Sequence, residues 1–98
     1  MPVELPNGVT LDQVRRYLDN RTKEFGTLPP LLVAKDSAGI RSVAHRIKGN
    51  AALYAMPELG LVAGRLCDAV EGGDWSAVSR LVDGLISRLS EERFRFLL

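Results

Sequence analysis

The sequence predicts an all-α chain: an antiparallel four-helix bundle of the up-down kind, with a short extra or kinked helix near its N-terminus. Three observations carry this. Apolar residues recur at three- and four-residue spacing in successive segments, the period of helices with one buried face. No segment alternates apolar with polar residues, and no hairpin turn joins β-branched stretches. The links between the periodic segments are short, which makes successive helices neighbours that turn back on one another.

The elements follow in order. Residues 1–9 carry two prolines and an Asn-Gly pair and read as an extended lead-in. The rest, residues 10–98, forms one domain. Thr10 opens "TLDQ", a threonine with a glutamine three residues on, which is a capping box. Leu11, Val14, Leu18 and Phe25 follow at helical spacing, and Gly26 ends the run. Thr27 is placed to cap a short helix that carries two prolines in its first turn and reaches about Ala34. Asp36 or Ser37 caps the next helix. Its apolar stripe is Ile40, Val43, Ala44, Ile47, Ala51 and Tyr54, and its opposite stripe is Arg41, His45, Lys48 and Ala52. Pro57 fits the first position of a further helix with Leu59, Val62, Ala63, Leu66 and Val70 on its buried face. In "EGGD" the glycines stop that helix and Asp74 caps the last one, whose apolar residues are Val78, Leu81, Val82, Leu85, Ile86 and Leu89. The tail "FRFLL" is apolar, and the pattern assigns it no role.

Composition narrows the function classes. Ninety-eight residues suffice for one domain with one core. With 13 basic and 12 acidic residues, no basic block and few aromatics, nothing suggests a nucleic-acid surface. Cys67 is the only cysteine, so no internal disulfide forms, which fits a reducing compartment. No apolar run approaches the roughly 20 residues of a membrane span, and the N-terminus does not read as a signal peptide. The expectation is a small cytoplasmic domain without membrane contact.

Few residues can carry chemistry. A zinc site needs about three or four ligands. One histidine and one cysteine on different helices do not supply them, so no metal site is expected. Cys67 lies beside an apolar stripe and reads as a small packed residue rather than a nucleophile. No glycine-rich phosphate loop occurs. There remains "AHRIKGN", with the chain's single histidine. His45 and Lys48 stand one turn apart on a face that points away from the core. Gly49 follows at once, although glycine inside a helix costs about 1 kcal/mol relative to alanine. Stability alone would select neither feature. Gly49 removes a side chain that would crowd the imidazole, and Ala52 keeps the next turn small. Lys48 is a point charge suited to phosphate. Together they describe an exposed imidazole, open to approach, beside a cation that would offset the charge of a phosphoryl group on the ring. Gly49 has a second reading, as a residue that lets helices pack closely.

The stretch "AHRIKGNAALYAMPELGLVAGRLCDAVEGGDW" resembles the core of the histidine phosphotransfer (HPt) domain family. Ala44, His45, Ile47, Lys48 and Gly49 match the family's A-H-x-L-K-G pattern, with isoleucine for leucine. Leu59, Ala63, Leu66, Gly73, Asp74 and Trp75 continue the match. The resemblance covers about residues 36–89. Three positions depart from it or vary. Ala55 stands where the family often has glycine. Cys67 stands where it often has glutamate. Asn50 follows the glycine, and either hydrogen-bonds near the phosphoryl group or points between helices.

The resemblance implies a phosphocarrier in a multistep phosphorelay, not an enzyme in its own right. His45 would accept a phosphoryl group from a receiver-domain phosphoaspartate, with Nε2 attacking, and pass it to another receiver. Lys48 would stabilise the phosphate charge and Gly49 would leave access. Arg41, Ser42, Asn50 and Ala52 would join the docking face. No cofactor would reside in this chain; the receiver would bring Mg2+. Partners would be response-regulator receivers, with a hybrid sensor histidine kinase as a further candidate. Two rivals stand beside this. One is a helical interaction or dimerisation module led by the "FRFLL" tail. The other is a domain whose histidine is phosphorylated from ATP by a kinase located elsewhere.

Overall fold

Most helix starts are built by the residues that signal them. The computed structural model describes residue 5 and residues 8–97, so most of the lead-in expected over residues 1–9 lies outside the described residues. Thr10 opens α1 (Leu11–Phe25). Its Oγ1 accepts from the Gln13 N–H at 3.1 Å, and its own N–H donates to Gln13 Oε1 at 2.9 Å. That is the expected capping box. The short α2 (Leu28–Val33) carries its prolines in the first turn. Thr27 stands at its start without capping it, because the hydroxyl donates back to the Glu24 carbonyl at 2.6 Å. Asp36, not Ser37, caps α3 (Ser37–Asn50): its Oδ1 accepts from the Gly39 N–H at 2.9 Å. Pro57 begins α4 (Pro57–Glu71). Asp74 caps α5 (Trp75–Leu97), with Oδ1 accepting from the Ala77 N–H at 3.1 Å.

These helices make a bundle around one core. α4 packs against both α3 and α5, and α1 packs mainly on α5. Three residues join α4 to α5 and six join α3 to α4, the short connections that antiparallel neighbours use. The fold measures 40 × 20 × 18 Å, and α5, at about 1.5 Å per residue, runs most of its length. The stripes supply the interior: Val14 and Leu18 from α1, Ile40, Val43, Ala44 and Ile47 from α3, Leu59, Ala63 and Leu66 from α4, Val78, Val82 and Leu85 from α5. Leu11, expected on the α1 stripe, is exposed, because the buried stripe begins a turn later at Val14. No described helix is long and apolar enough to cross a membrane.

Two stretches depart from the pattern. The stripe of α3 predicts helix through Tyr54, but the α-helix ends at Asn50. Ala51–Tyr54 tighten into a 3₁₀ turn, and Ala55 closes it in the left-handed region at φ 64°. That reversal brings Met56 into the core, fully buried, with its N–H on the Ala51 carbonyl at 3.0 Å. An L-residue costs about 1–2 kcal/mol in this conformation, and glycine costs far less. Ala55 is the position where glycine is frequent in the resembling family. Ala55→Gly is expected to stabilise the fold by about 0.5–1 kcal/mol after glycine's extra freedom in the unfolded chain is counted. A urea unfolding midpoint that rises checks this.

The second departure is the tail. "FRFL" continues α5, with Phe96 buried in the core and Phe94 left 71% exposed. Arg93 donates to Thr22 Oγ1 at 2.6 Å, and Arg95 Nη2 donates to the Ala55 carbonyl at 2.8 Å. The Glu92 carboxylate, 1% exposed, accepts from Arg88 Nε at 3.2 Å and Nη2 at 2.9 Å. Arg93 and Arg95 pin α5 to α1 and to the turn that follows α3, while the Glu92 pair stays within α5. The tail thus has a role inside the fold, which weakens its claim as the lead for an interaction module.

Candidate functional site

The outer face of α3 is a ridge with a row of basic and polar groups on either side. Ala38, Ser42, His45 and Gly49 follow one another at helical spacing, all exposed but none large except the imidazole. The row on one side reaches α4. Arg41 meets Glu71 through Nε and Nη2, each at 3.0 Å from Oε1. The stem of Lys48 lies over Gly64. The row on the other side reaches α1. Arg46 Nη2 pairs with Glu24 Oε2 at 2.8 Å, and Asn50 Oδ1 accepts from the Tyr17 hydroxyl. His45 stands between the rows.

The ion pairs separate the cations. α3 carries Arg41, Arg46 and Lys48. Both arginines are held by carboxylates of neighbouring helices, whereas Lys48 forms no ion pair among the described residues. The cation one turn from the histidine is therefore the one whose charge is not committed within the fold. Exposed pairs such as Arg41–Glu71 contribute at most about 1 kcal/mol to stability. Their larger effect here is on which charge faces outward uncompensated.

Gly49 is exposed, and a Cβ placed on it would meet nothing within 4 Å outside the local backbone. The close-packing reading of this glycine therefore does not apply. Close packing belongs to α4. A Cβ on Gly60 would stand 3.5 Å from Ala51 Cβ and 3.7 Å from the Lys48 carbonyl oxygen. The two helices approach closely there because that side chain is missing.

The structure brings only some of the predicted residues together. Ala38, Arg41, Ser42 and His45 line one open depression of about 230 Å³. Asn50 faces another, between α1 and the 3₁₀ turn, with Tyr17, Leu53 and Tyr54. Of the two readings left open for Asn50, the interhelical one holds, since its amide oxygen accepts from Tyr17 on α1. Burial pushes the Tyr17 hydroxyl well above its ordinary range, so it stays protonated and can donate. The Tyr17 ring also stacks on Tyr54 at 4.2 Å between centroids. Ala52 is exposed but lies in the 3₁₀ turn, off the end of α3.

Sequence reasoning missed the partners that shape this face: Glu24, Glu71, Tyr17 and Gly64. Only the glycines left a signal, since Gly60 and Gly64 stand four apart in "PELGLVAGRL". Cys67 is buried, as its stripe position implies. Although on another helix than His45, it is close enough to feel Lys48 and Arg41. Burial pushes its thiol up, Lys48 and Arg41 pull it down, and Glu71 and Asp68 oppose them. Burial outweighs the rest, so the thiolate fraction at neutral pH is small. Iodoacetamide is expected to alkylate Cys67 at least about tenfold more slowly in the native chain than in guanidinium. Equal rates would show an accessible thiol. No group of three or more His, Cys, Asp or Glu side chains converges among the described residues.

The bundle thus sets its single histidine on an exposed face, one turn from a lysine that forms no ion pair among the described residues. A family model described as Hpt domain matches residues 8–93, and the chain belongs to that family. Hpt domains mediate histidine phosphotransfer in phosphorelays with receiver domains, as carriers rather than catalysts. No curated protein and no solved structure matches the chain significantly.

Proposed function

We propose that His45 is the phosphoryl-accepting residue of this Hpt domain, and that Lys48 and Gly49 serve it. The observation that supports this most is the pairing of charges on α3. Arg41 and Arg46 are tied to Glu71 and Glu24, while Lys48, one turn from the single histidine, has no ion pair among the described residues. A phosphoryl group on the ring brings negative charge, and an uncommitted ammonium offsets it. The receiver supplies the Mg2+ and most of the catalytic groups. In-line transfer then asks the carrier for a nucleophile, a nearby cation and room for the approaching aspartyl phosphate. His45 Nε2 attacks phosphorus, the acyl phosphate bond breaks, and the carboxylate leaves. The reverse step on a second receiver completes the relay.

Arg41 and Ser42, which share a depression with His45, form part of the docking face. Asn50 acts one step back, by fixing the end of α3 to α1. Ala52 keeps the far end of the face low. A cytoplasmic setting fits a chain whose single cysteine has no internal partner.

The test is transfer from a panel of phosphorylated receiver domains to the folded chain, then from the labelled chain to unphosphorylated receivers. Transfer in at least one pairing supports the carrier reading. Labelling only by an ATP-dependent kinase would replace the receiver as donor. No labelling by either would favour the interaction module.

A further inference from the structure

We infer that Gly64 on α4 is a positioning residue for the phosphoryl-stabilising lysine: its missing side chain leaves the space beside α4 in which the Lys48 stem lies. This rests on the proposed roles of His45 and Lys48 and adds a residue of another helix to the site. A Cβ on Gly64 would stand 3.7 Å from Lys48 Cδ, 3.8 Å from Cε and 3.9 Å from Cγ. Three successive methylenes of the lysine thus run along one glycine. A lysine side chain has many rotamers, and its ammonium is otherwise free to sample a wide arc. Running beside α4, the stem shields part of its apolar length and is barred from the arc that α4 occupies, while the charged head stays in solvent. Among the described residues no carboxylate holds the head, so the room left beside α4 is what sets where the charge can lie. Gly60, one turn earlier, sets the close approach of α3 and α4 that makes the contact possible.

Substituent size then decides the outcome. The three distances are ordinary van der Waals contacts, so Gly64→Ala adds a methyl that touches the stem without moving it. Gly64→Leu places γ and δ carbons where the stem now lies. Lys48, the nearest neighbour of a Cβ at this position, is flexible at that end and swings away. Both variants replace a mid-helix glycine with a better helix former, so both are expected to be at least as stable as the native chain. A glycine that served packing alone would give loss of stability and loss of rate together.

The experiment measures phosphorylation of His45 by phosphoramidate, whose P–N bond breaks as ammonia leaves, so no receiver is needed. Lys48→Ala is expected to slow labelling about tenfold, near the lower end of what one charge-assisted hydrogen bond contributes. Gly64→Leu should slow it by a comparable factor, Gly64→Ala should stay within about twofold of the native rate, and Lys48→Ala with Gly64→Leu should match Lys48→Ala alone. The non-additivity is the signature of action through Lys48. In parallel, 13C relaxation of the Lys48 methylenes should be restricted in the native chain and mobile in Gly64→Leu. A native labelling rate in Gly64→Leu, multiplying effects in the double variant, or equal methylene mobility in both chains would each overturn the inference. Relaxation reads the stem even if phosphoramidate labels no variant, which would count against His45 as acceptor and not against the placement of Lys48.

Discussion

His45→Gln is expected to abolish acid-labile, base-stable phosphorylation while leaving the fold unchanged. The imidazole is exposed and makes no ion pair or hydrogen bond to another described side chain, so little of the fold depends on it. Its replacement by glutamine, of similar length and with no nucleophilic ring nitrogen, should change stability by less than about 0.5 kcal/mol. Circular dichroism and a denaturant midpoint check the fold, and label retained at alkaline pH but lost in acid checks the phosphorylation. A variant that still takes up such label would remove His45 from the role.

The second large effect is expected at Gly49. Side chains on a helix lean toward its N-terminus and cover the turn before their own Cα. A leucine at residue 49 would therefore lie back over the turn that holds His45, four residues earlier. A Cβ there meets nothing within 4 Å outside the local backbone, so the leucine starts into open space and is expected to improve local helix propensity by up to about 1 kcal/mol. Transfer from a receiver depends on close, in-line approach to the ring, and a misplacement of about 1 Å can cost about a hundredfold. Gly49→Leu should thus slow transfer by between about tenfold and a hundredfold and leave the unfolding midpoint equal or raised. Unchanged transfer with a sharply lower midpoint would make Gly49 a packing residue. Stability and rate are expected to move in opposite directions here, as at Gly64, although the two glycines act differently. One keeps the ring open and the other leaves room for the lysine beside it.

Much of this was legible in the sequence because local signals and the buried pattern agreed. The capping box at Thr10, the Asp36 and Asp74 caps and Pro57 at a helix start each act within four residues along the chain. The stripe through Ile40, Val43, Ala44 and Ile47 is enough to place His45 on the outside. Periodicity misled at residues 51–54, where apolar spacing continues but the backbone does not. The 3₁₀ turn and the left-handed Ala55 answer to the burial of Met56, a tertiary demand with no local mark. The tail was silent for a similar reason. Arg93 and Arg95 bind atoms some 71 and 40 residues away in the chain. The same limit applies to the site. Arg41, Arg46 and Lys48 look alike in the sequence, and only the fold distinguishes them, by bringing Glu71 and Glu24 to the arginines and a glycine to the lysine.

The most direct test of the central claim is to locate the phosphate. The chain would be incubated with a phosphorylated receiver, digested at alkaline pH to preserve phosphohistidine, and mapped by mass spectrometry. Phosphate on His45, and its transfer onward to an unphosphorylated receiver, is the predicted result. A folded chain that remains unlabelled by every receiver offered, or that carries label on any residue other than His45, would contradict it.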